Sequence, residues 1–134
     1  METIVTPETI SYDVIAAICD AADYAVTTLD DGSLRVTATT TVFVRLSPKH
    51  DRLQVATYRG FADELDMDDR SEFLSTVNQE SPMLKASLSN TGSLKVAYEH
   101  YLLGGVTADN VLAVIERSAV ACADLMVKYR GNFK

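Results

Sequence analysis

The amino-terminal part of the chain carries hydrophobic residues three and four positions apart, which is the spacing of an amphipathic helix. Thr6 favours a helix N-cap, and Pro7 suits the first turn that follows it. We therefore expect a first helix that begins at Thr6 and buries one apolar face. The residues of this face are Ile10, Val14, Ala17, Ile18 and Ala21.

From Tyr24 the hydrophobic spacing changes to two, the period of a β-strand with one buried face. A short strand over residues 24–29 leads into a turn rich in Asp and Gly. A single long strand over residues 34–46 and a third strand over residues 53–58 follow. One face of the long strand is largely apolar and comprises Leu34, Val36, Ala38, Thr40, Val42, Val44 and Leu46.

A second helix is predicted over residues 69–79, where the apolar spacing returns to three and four. Asp69 and Glu72 have the spacing of a capping box at its beginning. Pro82 is expected to end it, because proline cannot continue a helix.

The last third of the chain predicts a hairpin and a long helix. Strands over residues 83–88 and 94–103 flank a turn that contains glycine. Thr107 then caps a helix over residues 108–130, and Gly131 suits its C-cap.

The predicted order of elements is therefore α-β-β-β-α-β-β-α. No helix separates the first three strands, so nothing forces them into parallel pairs. We predict an α+β fold with a five-stranded, largely antiparallel sheet and helices packed on one face. The length of 134 residues suits a single domain, residues 1–134.

The composition indicates which classes of binding partner and which cellular compartment to expect. The formal net charge is −7 and the isoelectric point is about 4.7, a charge that repels phosphate backbones and anionic lipids. The 12 basic residues are spread along the sequence without a visible cluster. We expect no nucleic-acid and no membrane partner. The first ten residues do not resemble a secretory signal, and a cytoplasmic protein is expected.

Two cysteines and an acidic run are weighed as possible sites. Cys19 and Cys122 lie on apolar helix faces and are expected to be buried, with a redox pair left open if the first and last helices pack side by side. The acidic residues 63–69 lack the spacing of a calcium loop, and the positive end of the second helix explains Asp68 and Asp69 better. No metal site is expected, although weak cation binding there stays open.

Few residues suggest catalysis. His50 lies in a polar turn, and His100 alternates with Tyr98 along a strand, where the adjacent Glu99 must point to the opposite face. We expect His100 to be structural, because a general base needs a positioned partner within reach. A small enzyme or ligand-binding domain that uses His100 near the end of the sheet is the alternative. No cofactor is expected, since the sequence contains no nucleotide-binding or metalloprotease motif.

Three features follow one another along residues 73–126. A helix carries the pair Val77–Asn78, a hairpin turns at Gly92, and the segment Leu-Leu-Gly-Gly-Val-Thr at residues 102–107 opens the last helix. In this order the chain resembles the YbjN family of bacterial sensory transduction regulators. The resemblance implies a fold similar to that of type III secretion chaperones, a non-enzymatic regulatory or protein-binding role, and no catalytic residues. Gly104–Gly105, which lack the Lys of a phosphate loop, are expected to act as a hinge.

The sheet face opposite the helices should display several aromatic residues among threonines. Phe43 and Tyr58 belong to this face, together with Ala56 and Tyr101 near its end. Exposed aromatic clusters are typical of association surfaces. We expect a homodimer that binds a protein segment by packing on the sheet face or by strand addition. Phe43, Tyr58 and Tyr101 are expected to form either the partner-binding surface or the dimer surface.

Overall fold

A computed structural model describes residues 3–81 and 83–134 of the chain. The strands in this part are β1 Ile4–Val5, β2 Ala25–Thr28, β3 Leu34–Thr37, β4 Thr41–Leu46, β5 Arg52–Arg59, β6 Lys85–Leu88, β7 Leu94–Tyr101 and β8 Val106–Thr107. The helices are α1 Tyr12–Ala21, α2 Met67–Glu80 and α3 Ala108–Lys128, followed by a 3₁₀ turn at Arg130–Asn132. The main sheet is antiparallel with the strand order β2-β3-β4-β5-β7-β6, and β1 pairs with β8 separately.

The main sheet has six strands rather than the five predicted, because the expected long strand folds back on itself. The turn lies at residues 38–40, and β3 and β4 form a hairpin that pairs Leu34 with Val44 and Val36 with Val42. The pairing keeps these four residues on one side of the sheet. The alternation therefore predicted the correct buried face but could not locate the turn, since threonines favour strands and no Gly or Pro marks it.

The helix beginnings also differ from the predictions. α1 begins at Tyr12, not near Thr6, because the Ser11 hydroxyl caps it by accepting a hydrogen bond from the Val14 amide at 3.1 Å. Residues 6–10 instead form a separate turn, closed by the Ile10 amide and the Thr6 carbonyl at 2.9 Å. The intervening turn allows the side chain of Ile10 to enter the core.

The capping box of α2 lies one turn earlier than predicted. Asp66 accepts a hydrogen bond from the Asp69 amide at 2.8 Å, and the Asp69 carboxylate accepts one from the Asp66 amide at 3.3 Å. Asp69 is therefore the second member of the box and not the first. Pro82, which we expected to end this helix, lies outside the described residues.

Thr107 caps α3 as predicted, with its hydroxyl accepting from the Asn110 amide at 3.0 Å. The helix ends at a C-cap on Tyr129, and Gly131 lies within the 3₁₀ turn that follows. This turn returns the chain to the sheet, where Phe133 forms a bridge with Phe61. The last residues therefore belong to the core and do not simply end the helix.

All three helices pack on the same face of the main sheet, as predicted, and bury two neighbouring clusters. The first cluster joins Ile15 of α1 and Ile115 of α3 to Val36 and Val44 of the sheet. The second cluster lies at the other end of the sheet, where α2 and the C-terminal half of α3 pack on the strands. Its members include Phe61, Phe73, Val77, Leu94, Val96 and Cys122. None of the helices in the described part is long and apolar enough to cross a membrane.

One side chain of α2 acts as a strand partner for the sheet edge. Asn78 donates from Nδ2 to the Ala86 carbonyl at 3.0 Å and accepts from the Ala86 amide at 2.7 Å through Oδ1. Ala86 lies on edge strand β6 and is 4% exposed, so water has little access to these two backbone groups. The amide of Asn78 therefore satisfies the outward edge of β6 at this residue.

Replacing Asn78 with Ala should lower the free energy of unfolding by about 1–3 kcal/mol, because both backbone groups of Ala86 lose their partner in a partly buried setting. Urea unfolding followed by circular dichroism measures the change. Gln79→Ala is the matched control on the neighbouring exposed position and should change stability by no more than about 0.5 kcal/mol. Equal stabilities for the two variants would contradict the role of Asn78.

Both cysteine thiols are free and buried, and their pKa values are raised to about 11 by desolvation, to which Asp20 adds for Cys19. α1 and α3 contact each other, yet Cys19 lies in the first cluster and Cys122 in the second. The prediction of buried thiols is confirmed.

At pH 8 the folded protein should react with a thiol reagent far more slowly than the unfolded chain, because protonated, buried thiols are poor nucleophiles. The absorbance of the thiolate that the reagent releases should correspond to two reactive cysteines per chain in denaturant and to almost none in the folded protein. Rapid labelling of either cysteine in the folded protein would contradict this account.

A candidate docking surface on the open face of the sheet

The face of the main sheet that points away from the helices is called the open face here. Strand alternation and register assign its central row, which runs across five strands as Arg35, Phe43, Ala56, Ala97 and Lys85. The row places two alanines at the centre, an aromatic ring on one side and a cation at each end.

The two alanines form the floor of this surface. Ala56 is 0% exposed and Ala97 is 8% exposed, although no helix covers this face in the described part of the chain. Their burial is due to the longer side chains around them, such as Phe43 and Tyr58. The centre of the open face is therefore a shallow apolar depression.

Two of the three predicted surface residues meet beside this floor. The rings of Phe43 and Tyr58 pack edge to face, with centroids 5.5 Å apart and planes at 72°. The Lys95 Nζ lies 5.9 Å from the centre of the Tyr58 ring, within the range of a cation–π contact. Tyr101 lies on the same face but four residues beyond Ala97 along β7, about 13 Å away. It pairs across the strands with Arg52 and is separate from the aromatic pair.

The structure also gathers basic residues that the sequence keeps apart. Five of them lie on the open face: Arg35, Arg45, Arg52, Lys85 and Lys95. Glu99 is the carboxylate that β7 places among them. The absence of a basic cluster in the sequence was therefore misleading. The signal that could have found it is strand parity, since each residue occupies a polar position of an alternating strand.

Two of these cations are engaged within the molecule. Arg45 pairs with Asp31 at 2.7 Å, and Arg52 pairs with Glu99 at 3.2 Å. Hydrogen bonds from the Ser33 side chain and amide, with a further contribution from Arg45, lower the pKa of Asp31 to about 2. Asp31 therefore stays charged at neutral pH and keeps its attraction for Arg45.

The other cations are available to a ligand. Within residues 3–81 and 83–134, Arg35, Lys85 and Lys95 have no carboxylate within 4.0 Å of their charged groups. Lys85 and Lys95 flank a cleft of about 400 Å³ that opens beside Ala97 and is also lined by Ser87. The open face thus combines an apolar floor, aromatic edges and unpaired positive charge.

The alternative site at His100 is not assembled in this way. His100 pairs with Leu53 on the helix side of the sheet, and its ring lies 6.2 Å from that of Tyr98. Glu99 points to the open face, where it accepts hydrogen bonds from Arg52 at 3.2 Å and Gln54 at 3.3 Å. The adjacent carboxylate therefore cannot orient the imidazole, and the geometry gives no support to catalysis at His100.

The glycine pair before α3 acts as a chain reversal. Gly104 and Gly105 both have positive φ angles, +83° and +85°. A Cβ on Gly105 would lie 3.1 Å from the Ile4 side chain, so the close approach of β1 requires glycine there. The Ala108 amide at the beginning of α3 donates to the Thr3 carbonyl at 2.8 Å. The Thr3 carbonyl, just before β1, therefore occupies the position that an anion would need.

The acidic segment before α2 is explained by local contacts. Asp66 and Asp69 form the capping box, and Asp63 pairs with Lys134 at 3.0 Å. In the described part of the chain, no group of three or more His, Cys, Asp or Glu side chains could hold a metal ion.

Among solved structures, two examples share this fold. The crystal structure of YbjN from E. coli, described as "a putative transcription regulator", aligns with a TM-score of 0.73 and 13% identity over 96% of each chain. An uncharacterized protein from Methanothermobacter thermautotrophicus aligns with a TM-score of 0.64 and 16% identity, over 93% of this chain and 100% of that one. At these identities the likeness shows the fold alone. No curated protein matches the sequence.

A family model, YbjN, described as "Putative bacterial sensory transduction regulator", matches residues 11–126. The match includes the helix with Asn78, the hairpin that turns at Gly92 and the glycine pair before α3. It also extends over the first four strands of the main sheet, where the sequence resembles the family in strand pattern, and over α1, which lies before the region of that resemblance. The chain therefore belongs to the YbjN family.

Proposed function

We propose that this protein is a non-enzymatic bacterial regulator that acts by binding another protein through the open face of its main sheet. The observation that carries the proposal is the composition of that face. A solvated sheet face needs only polar residues. This one instead presents the packed rings of Phe43 and Tyr58 beside a floor of Ala56 and Ala97.

The charge of the open face favours an acidic partner segment. An apolar side chain of the partner would lie on the alanine floor, and its carboxylates would meet Arg35, Lys85 and Lys95. Complementary charge speeds the encounter and selects among partners. Because the chain as a whole carries a net charge of −7, the open face differs in sign from most of the remaining surface.

Nucleic acid fits the same face less well. Stacking of bases requires a free ring face, and the ring of Tyr58 already contacts Phe43 and Lys95. A long phosphate backbone would also extend beyond the sheet into acidic surroundings. These two observations favour a protein segment over single-stranded nucleic acid as the ligand of the open face.

Packing on the open face is favoured over strand addition at β6. Asn78 occupies the two backbone groups of Ala86 that an added strand would use. A partner at this edge would first have to displace the side-chain amide.

We further propose that the protein works in the cytoplasm as a homodimer and as one YbjN-like domain over residues 1–134. We also propose that its protein-binding role is chaperone-like, similar to that of type III secretion chaperones. Two copies that packed their open faces together would bring like charges into contact, which is unfavourable. We therefore assign Phe43, Tyr58 and Tyr101 to the partner protein and not to the second copy.

Replacing Phe43 with Arg and Tyr58 with Glu in one variant should abolish partner binding and leave cooperative unfolding intact, because both residues face away from the helices. Pull-down from the native cytoplasm with mass spectrometry measures binding, and a thermal melt measures folding. Met67→Arg with Gln79→Glu is the control, since both residues are exposed on α2, which packs on the opposite side of the sheet. A partner retained equally by both variants would rule out the open face.

Replacing Lys85 and Lys95 with Glu should weaken binding of the same partner by at least about tenfold, because reversed charges repel its carboxylates. Titration of the purified pair at two salt concentrations measures the effect, which should shrink as salt increases. Lys49→Glu in the turn before β5 is the control and should bind normally. If the aromatic variant fails to bind and the lysine variant binds fully, the partner is not acidic.

A further inference from the structure

The solvent side of α3 carries a stripe in which apolar and charged residues alternate. Successive positions are separated by four, three, four and three residues, so all of them lie on one face of the helix. The stripe, called the α3 stripe below, consists of Ala113, Arg117, Val120, Asp124 and Val127. Val120 is 40% exposed and Val127 is 67% exposed.

The α3 stripe is complementary to itself when two copies run antiparallel. If two copies cross at Val120, then Ala113 of each copy meets Val127 of the other. The same arrangement places Arg117 of each copy beside Asp124 of the other. A two-fold axis requires this kind of self-complementary pattern, because each contact must occur twice.

Within residues 3–81 and 83–134, the charges of the stripe have no ion-pair partner. Arg117 and Asp124 are seven residues apart, or about 10.5 Å along the helix axis, which is too far for an ion pair. Among the described residues, neither has an opposite charge within 4.0 Å. Lys128 and Glu80, by contrast, pair at 3.2 Å within the chain.

A cleft beside the stripe provides room for side chains of a second copy. It has a volume of about 570 Å³ and is lined by Val120, Ala121 and Arg117 of α3 and by Met83. Met83 is itself 41% exposed. Methionine adapts its shape to a neighbouring surface, and Ala113 allows two helices to approach closely.

We propose that a second copy of this chain packs antiparallel on the α3 stripe. The contact is centred on Val120, with two symmetric Arg117–Asp124 ion pairs and with Met83 at the edge. The inference deepens the homodimer proposed above by naming its surface. It does not depend on which protein binds the open face.

This arrangement leaves most of both partner surfaces free, and the dimer contact adjoins the open face only at Met83, which also lines the cleft beside Ala97. The α3 stripe faces away from the main sheet, since Val111, Ile115, Ala119 and Cys122 form the buried side of α3. The open faces of the two copies therefore lie on opposite outer sides of the dimer. Such a dimer presents two identical basic surfaces and gains avidity for a partner with two acidic segments.

A charge-exchange experiment on the full chain tests the proposal. Arg117→Glu should raise the dimer dissociation constant by about 10- to 100-fold, because each substitution places like charges together at two symmetric contacts. The double variant Arg117→Glu with Asp124→Arg exchanges the charges on both copies and should return the constant to within about threefold of the original. Sedimentation equilibrium over a concentration series measures all three proteins. Lys49→Glu, which makes the same change of charge away from α3, should dimerise normally.

Each outcome decides between named alternatives. Loss of dimer in the single variant and recovery in the double variant support the α3 stripe. A dimer that is insensitive to both variants means that the homodimer uses another surface. An unmodified chain that stays monomeric over the whole series overturns the homodimer itself, while partner binding by the open face remains testable separately. Circular dichroism melts of every variant identify any loss caused by misfolding, and a folded, monomeric Val120→Glu variant gives independent support.

Discussion

Burial of one face of a six-stranded antiparallel sheet is the constraint on which the other features depend. Each fully buried Val, Leu or Ile contributes about 1.5–3 kcal/mol, and the central strands place such residues at every second position on the helix side. α3 contributes to both core clusters and so couples the two ends of the sheet. Because all three helices are needed on this side, the other side is left to solvent or to a partner.

One edge of the main sheet and the beginning of α3 are protected by polar groups that the chain itself supplies. Asn78 satisfies edge strand β6, and the Thr3 carbonyl receives the first amide of α3. These contacts close two places where a ligand or an added strand could otherwise bind. Asn78 and the pair Gly104–Gly105, which are two of the features shared with the family, therefore have structural roles in this chain.

The two surfaces proposed for association differ in chemistry, and this difference gives them separate roles. The open face has net positive charge, which disfavours contact with its own copy and favours an acidic partner. The α3 stripe contains one cation and one anion in a palindromic order, which suits a two-fold contact. A regulator that dimerises through one side and binds through the other keeps both contacts at the same time.

Much of the fold could be predicted from the sequence alone. The two hydrophobic periods predicted the three helices, most strands of the main sheet and the buried side of each, because local alternation survives in any register. The pairing of β1 with β8 was not predicted. Tertiary pairing alone decided that residues 38–40 turn and create a sixth strand, and that Ser11, not Thr6, caps α1. Tertiary pairing also determined which residues come together on the open face. Arg35, Lys85 and Lys95 are far apart in sequence and lie around one apolar floor only because strand register places them on the same face of the sheet. Tyr101 was correctly assigned to the open face but lies away from Phe43 and Tyr58, because parity specifies the face of a strand and not the position along it.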